Sequence, residues 1–189
     1  MIFENINISY GDKKIFENYN FRLKNEKITV VIGQSGIGKT TLLNYISKEL
    51  SNINKKHSYV FQENNLIPWM TVEENLKIIL DEYCIMTIDQ VLNIVQLKES
   101  KNKYPYQLSG GMLQRVNLAR AIMRPGDIII LDEAFKSIDN KTKYTIIEEM
   151  KKIIDNNKLT VLIVTHDLEE TKMFNREKIE LVNIENVTK

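Results

Sequence analysis

The chain has 189 residues, 43% apolar and 27% charged, and its 26 basic and 25 acidic side chains leave a formal net charge of +1. That length supports one domain with a substantial core and a lobe inserted into it, and so even a balance argues against a nucleic-acid partner held by bulk charge. A single cysteine, Cys84, excludes an intrachain disulfide and fits a reducing compartment. No apolar run approaches membrane-spanning length, and the opening MIFENINISYG has no basic stretch followed by an apolar one. The expectation is a cytosolic chain without a signal peptide, taken to a membrane only by a partner.

The first elements are short and extended. Ile2, Ile6 and Ile8 fall on one face of a strand, and Tyr10-Gly11-Asp12 reads as a turn. Phe16 to Leu23 is a second strand with Phe21 and Leu23 on one face, and Asn25-Glu26 makes a tight connection. These two strands are expected to pair antiparallel before the chain enters a parallel αβ core. That core starts with Ile28 to Ile32, a β-branched run that predicts a buried strand.

The strand runs into Gly33-x-x-x-x-Gly38-Lys39-Thr40, and a helix follows with Leu42, Leu43, Ile46 and Leu50 at helical spacing. Strand, glycine loop and helix form the context a P-loop requires. Gly33, Gly36 and Gly38 let successive backbone N–H groups turn inward as an anion nest. The helix adds its N-terminal dipole and unpaired amides. Lys39 brings a full charge to the β- and γ-phosphates, and Thr40 a hydroxyl to Mg²⁺. Residues 33 to 41, with Gln34, Ser35, Ile37 and Thr41 between and after the fixed positions, are the expected nucleotide-binding segment.

A short polar link, Ser51 to Lys56, leads to a strand over Ser58 to Phe61 that ends in Gln62. The texture then becomes helical. Thr71-Val72-Glu73-Glu74 is a capping box before a helix with Val72, Leu76, Ile79 and Tyr83 on one face. Thr87-Ile88-Asp89-Gln90 is a second, before Val91, Leu92 and Val95. The lone tryptophan, in Leu66-Ile67-Pro68-Trp69-Met70, reads either as core filler or as a docking surface. After a polar break at NKYPYQ, Ser109-Gly110-Gly111 opens a helix carrying Leu113, Val116, Ala119 and Met123, stopped by Pro125-Gly126. Ile128 to Leu131 is an apolar strand ending in Asp132-Glu133. A helix with Ile146, Ile147, Met150 and Ile154 follows, then a strand from Thr160 to Val164 that ends at Thr165-His166-Asp167. Asp167 with Glu170 is expected to cap a short helix, and Ile179 to Ile184 to form a last strand. His57 reads as a strand-edge residue.

Beside a P-loop, IIILDE has the form of a Walker B strand, with Asp132 placed to hold Mg²⁺ and Glu133 to polarise an attacking water. The bare amides behind Ser109 make a second anion site on a chain that already has one. Together with Gln62, Asp132-Glu133, Asp139 and His166, these residues resemble the nucleotide-binding subunit of an ABC transporter. SYVFQEN resembles its Q-loop and SGGMLQRVNLARAI its signature and following helix. EAFKSID resembles the D-loop, and VTHD the switch-histidine segment. The order and rough spacing hold from Tyr10 to Asp167.

The resemblance implies an α/β fold: a P-loop NTPase (RecA-like) core with N-terminal antiparallel β strands and an inserted α-helical subdomain. One ABC ATPase domain would span 1–189, with the core over 1–62 and 109–189 and the helical subdomain over 63–108. It implies ATP as substrate, with Mg²⁺ held through Thr40, Gln62 and Asp132, and a head-to-tail pair of identical or related cassettes. Ser109, Gly110 and Gly111 of one subunit would close over the ATP of the other, with Asp139 linking the two sites. Glu133 would activate water, His166 would contact the γ-phosphate region, and Lys39 and Gln62 would complete the catalytic set. Gln62 would report occupancy to the helical lobe, and Tyr10 stands where the family places an aromatic on adenine. Integral membrane permease subunits, and a solute-binding protein for import, would hold the chain at the inner face of the cell membrane.

LIPWMTVEENL and SGGMLQRV together resemble the ATPases of nitrate, sulfonate, taurine and thiamine-precursor importers. The departures are Ala134 in place of the usual proline, Ile138 in place of leucine, a charge added by Lys136, and a short link from Lys39 to Gln62. An exporter role, or a ribosome- or DNA-associated one, is the alternative. A small-molecule kinase would have no use for Ser109-Gly110-Gly111, and Glu133 and His166 argue against a non-catalytic binding module.

Overall fold

The computed structural model describes residues 1–174 and the strand 179–183. Two strands, β1 (Ile2–Tyr10) and β2 (Lys13–Arg22), pair antiparallel. The chain then builds β3 (Ile28–Ile32), α1 (Lys39–Asn52), β4 (His57–Val60), α2 (Val72–Lys77) and α3 (Ile88–Ile94). After α4 (Gly110–Met123) come β5 (Ile128–Asp132), α5 (Asn140–Asn157), β6 (Thr160–Thr165), α6 (Leu168–Met173) and β7 (Ile179–Asn183). Ile184, expected in the last strand, lies outside the described residues.

The second sheet is parallel, in the order β4-β5-β6-β3-β7. Every residue of β5 and β6 is buried, as a sheet covered on both faces demands. Alternate residues face opposite layers. Val31, Ile130, Leu162 and Val164 pack with Leu42, Leu43 and Ile46 of α1 and with Ile6, Phe16 and Phe21 of the β1–β2 pair. Val30, Ile129, Val161 and Ile163 pack with Val91, Leu92, Val116, Ile122 and Ile147 on the other side. The register pairs Ile32 with Thr165 and Asp132 with Val164. The carboxyl ends of β3, β5 and β6 therefore emerge on one edge, where parallel sheets bind ligands.

Both capping boxes form, Thr71 with Glu74 and Thr87 with Gln90. Three expectations do not survive. In β1, Ile2 is exposed while Phe3 and Ile6 face the core. The register shifts at Asn5 and at Asn18, both at positive φ, and these bulges put residues three apart on one face. Asparagine side chains hold the bulges: Asn20 Oδ1 accepts from the Asn5 N–H at 2.8 Å, and Asn7 Oδ1 from the Asn18 N–H at 2.9 Å. The helix expected to reach Tyr83 stops at Lys77. Asp81 accepts from the Tyr83 N–H at 3.0 Å and pairs with Arg124, a local bond that competes with helix, and Tyr83 is exposed beneath the Lys56 ammonium. Finally, Asp167 caps α6 without Glu170, whose carboxylate turns into the core toward Lys143.

Candidate functional site

The loop after β3 is shaped by two backbone positions. Gly36 has φ 80° and Gly38 φ 107°. A Cβ on Gly38 would lie 2.5 Å from the Ile15 Cγ2 methyl and 3.3 Å from the Phe16 ring, so the loop presses onto the antiparallel pair where only glycine fits. No side chain caps α1, which leaves its first amides open to an anion. Lys39 is buried and donates to the carbonyls of Gly33 and Gln34, at 2.7 and 2.8 Å. Ile37 is partly buried against the antiparallel layer. Gly38→Ala is expected to add about 1–3 kcal/mol of strain and to weaken ATP binding by roughly tenfold or more. Titration of the purified variant with ATP tests this; an unchanged affinity would show that the loop can relax.

This loop forms one wall of a cleft of about 570 Å³. Ser35, Gly36, Gly38, Lys39, Thr40 and Thr41 line it from the loop and α1. Tyr10 comes from the end of β1, Gln62 from the segment after β4, Glu133 from the end of β5 and His166 from the end of β6. Lys13, Ile15 and Lys136 also line it. The sequence pattern singled out Lys136 only as an added charge, and Lys13 and Ile15 not at all. Their signal lay in the Tyr10-Gly11-Asp12 turn, which pairs Tyr10 with Lys13.

Asp132 lies beneath the cleft, 2% exposed. Burial raises its pKa, opposed by a hydrogen bond from Thr40. Its Oδ1 has no hydrogen-bond partner among the described residues. An orphaned buried carboxylate oxygen beside a hydroxyl is what a hard, oxygen-seeking divalent cation takes up. Among the described residues no cluster of three His, Cys, Asp or Glu side chains forms a closed metal cage. One carboxylate plus a hydroxyl, completed by substrate phosphates and water, suits Mg²⁺. Tyr59, read in the sequence only as a strand residue, borders Asp132, and its phenol pKa is raised by burial and by that carboxylate.

Glu133 follows at φ 47°, in the left-handed region, with its N–H held by the Val164 carbonyl at 3.0 Å. A proline at 134 would restrict the preceding residue to extended backbone; Ala134 leaves it free. The Glu133 carboxylate is 11% exposed. His166 Nδ1 lies 3.1 Å from Oε1, and the Lys136 ammonium donates to Oε2 at 3.1 Å. Burial pushes the Glu133 pKa up, but these two partners outweigh it and hold it below the ordinary value. An ionised carboxylate at the rim of a phosphate nest can take a proton from water.

Ser109, Gly110 and Gly111 do not line this cleft. Ser109 caps α4, its Oγ accepting from the Met112 N–H at 3.3 Å. Gly111 approaches the Ser137 carbonyl so closely that a Cβ would overlap it. Asp139 caps α5 through the Thr142 N–H at 3.0 Å. The segment after Gln62 is tied to α4 as well, with Asn117 donating to Asn64 at 2.9 Å and Arg120 to the Asn65 carbonyl at 3.0 Å. His57, on the edge strand β4, hydrogen-bonds Ser47 and stands apart from the cleft.

The ABC transporter family profile matches residues 16–136, and the aliphatic sulfonates import ATP-binding protein SsuB of Bacillus anthracis is 36% identical over 177 residues, covering 85% of this chain and 70% of that protein. The chain belongs to the ABC transporter family. It is the family's ATP-binding subunit, an ATPase. The bicarbonate transport ATP-binding protein CmpD of Synechococcus elongatus is 34% identical over 198 residues, covering 90% of this chain and 70% of its own length. Among solved structures, the dimeric structure of a bacterial ABC transporter cassette matches with a TM-score of 0.79 at 29% identity, covering 97% of this chain and 95% of that one. The dimeric post-hydrolysis state of the same cassette, bound to ADP and Pi, matches with a TM-score of 0.80 at 28% identity, covering 98% and 97%. The P-loop NTPase architecture expected for this ABC ATPase is thus shown by its fold and its neighbours alike.

Proposed function

We propose that this ABC ATPase energises import, binding MgATP in the cleft and closing head to tail on a second cassette. One observation carries the pairing. The cleft holds the phosphate nest and the water-polarising acid, while the second exposed set of helix amides, behind Ser109, sits outside it on α4. Each chain so built has one site to fill and one to offer. Lys39 and the amides of residues 33–41 hold the phosphates, and Tyr10 stacks on adenine. Thr40, Gln62 and Asp132 would hold Mg²⁺, which would neutralise phosphate charge. Glu133 takes the proton of the attacking water, with His166 at the γ-phosphate. Ser109, Gly110, Gly111 and Asp139 act on the partner's nucleotide. The unit is a single domain, with residues 63–108 as the lobe that reads Gln62.

Import is supported by the sulfonate relative, whose name states it. A membrane permease is the partner that the exposed surface suits. Trp69 is 74% exposed, which excludes the core-filling alternative. A groove of about 200 Å³ is lined by Phe61, Ile79, Asn117 and Arg120. No helix among the described residues is long and apolar enough to cross a membrane, so such a partner would hold the chain at the inner membrane face. Co-purification from gently solubilised native membranes tests this. A multi-span subunit together with a solute-binding protein is the expected result. A membrane subunit alone would favour export, and ribosomal proteins would overturn transport altogether.

A further inference from the structure

Both oxygens of Glu133 are engaged by side chains of the chain itself. His166 takes Oε1 and Lys136 takes Oε2, each at 3.1 Å. The two partners differ in origin. His166 sits in the VTHD segment that belongs to the site, whereas Lys136 is a charge added where the family pattern has none. The backbone leaves little choice about where Lys136 goes. Its N–H donates to the Glu133 carbonyl at 3.2 Å, and the Ile138 N–H to the Phe135 carbonyl at 3.1 Å, so 133–138 is a compact double turn. Residues three apart in such a turn lie on one side, and Lys136 therefore projects over Glu133 into the cleft.

Burial makes the pairing unequal. The carboxylate is 11% exposed and the lysine side chain 54%. A lysine at the rim gives up little hydration to make the contact, whereas the carboxylate has few alternatives. Lys39, a second cation of the cleft, donates to the Gly33 and Gln34 carbonyls. A water to be activated by Glu133 must reach a carboxylate oxygen on the cleft side, where Lys136 and His166 now stand.

We propose that Lys136 is a positioning residue that restrains Glu133 in the resting cassette, holding its cleft-facing oxygen until the pair parts for the attacking water. The proposal rests on Glu133 being the residue that activates water. Lys136 sets how fast the cassette hydrolyses ATP when nothing drives it, and it leaves nucleotide affinity to the P-loop.

The test is steady-state ATPase kinetics of the purified chain with Lys136→Met, which keeps the stem and removes the charge, and with Lys136→Arg, which keeps the charge. Lys136→Met is expected to raise kcat about three- to tenfold with KM for ATP unchanged within about twofold, effects of the size one exposed charge contact commands. Lys136→Arg is expected to stay at the wild-type rate. Lys136→Gln repeats the test with a polar side chain should the methionine variant be poorly soluble. An unchanged or lower kcat overturns the proposal, as does a rise in KM with a fall in kcat, which would place Lys136 on the phosphates instead. Glu133→Gln alone separates this from the underlying reading: normal turnover there removes Glu133 from catalysis, whereas an inactive Glu133→Gln with no gain from Lys136→Met removes only the restraint. The double variant is expected to show no gain over Glu133→Gln, because Lys136 acts through that carboxylate.

Discussion

Glu133→Gln is expected to lower ATP turnover by about 10²–10⁴-fold, the range a positioned general base supplies, while ATP still binds. The substitution is nearly isosteric. The backbone anchor from the Glu133 N–H to Val164 does not involve the side chain, and the amide can still meet His166. The phosphate nest is built by other parts of the chain: Gly36 and Gly38 shape the loop through their backbone, and Lys39 donates to the Gly33 and Gln34 carbonyls. What is lost is the group that can take a proton at the end of β5. Binding without hydrolysis should then accumulate ATP-bound pairs, seen as a doubling of mass by light scattering when ATP is added and reversed when it is removed. Turnover at the wild-type rate would refute the role of Glu133. A variant that neither hydrolyses nor pairs would show that the carboxylate shapes the site itself.

The largest effect on stability is expected at Lys143. This residue of α5 has a side chain 5% exposed and donates to Glu170, itself 3% exposed, at 2.7 Å, and to Asp167 at 3.3 Å. Glu170 also accepts from the Thr165 hydroxyl at 2.7 Å, and that same hydroxyl oxygen receives the Asp167 N–H at 3.0 Å. Removing one partner of a buried pair leaves the other charged and dry, which costs about 3–5 kcal/mol. Lys143→Met should therefore lower the melting temperature by roughly 10 °C. Adding Glu170→Gln should restore much of the loss, because an uncharged amide can keep the Thr165 contact. A melting temperature within a degree or two of wild type would show that the site is wetter than its burial implies.

The pH dependence of that difference has a definite sign. Burial alone would lower the Lys143 pKa, but the contacts with Glu170 and Asp167 outweigh it and raise it above the ordinary lysine value of 10.5. A raised folded-state pKa means the contribution is complete below the unfolded value and fades as pH climbs past the folded one. The gap between wild type and Lys143→Met should stay constant from pH 7 to about 9 and narrow only in strong alkali.

Much of this was legible in the residues. β3 and α1 follow from a β-branched run, a spaced glycine pattern and a helical apolar stripe, each a local signal. Both capping boxes were equally local. The acids and the histidine at the ends of β5 and β6 were legible because a parallel sheet brings carboxyl ends to one edge. The bulged β1–β2 pair was not, because alternation assumes no positive φ, and Asn5 and Asn18 supply one each. Tyr83 was misplaced because Asp81 offers the backbone a turn that periodicity does not weigh. Lys143 and Glu170 stand 27 positions apart, and a charge on an inward helical face reveals its partner only when the fold closes. The grip of Lys136 on Glu133 was hidden for a related reason: three-residue spacing acquires direction only once the turn is known.

The contact of Gly111 with Ser137 has a mechanical meaning. Backbone meets backbone there, with no side chain to rotate aside. The charges of Arg115 and Asp139 attract across the same junction, and Arg115 is itself braced on the Val95 and Gln96 carbonyls at 2.9 and 3.1 Å. The start of α4 and the 137–139 turn thus behave as one stiff crank, and neither can be displaced without the other. The same turn leads back through Lys136 to Glu133. In a head-to-tail pair, a push on the crank by the neighbour's nucleotide would travel three or four residues to the chain's own acid. Two sites wired this closely would keep step by leverage alone.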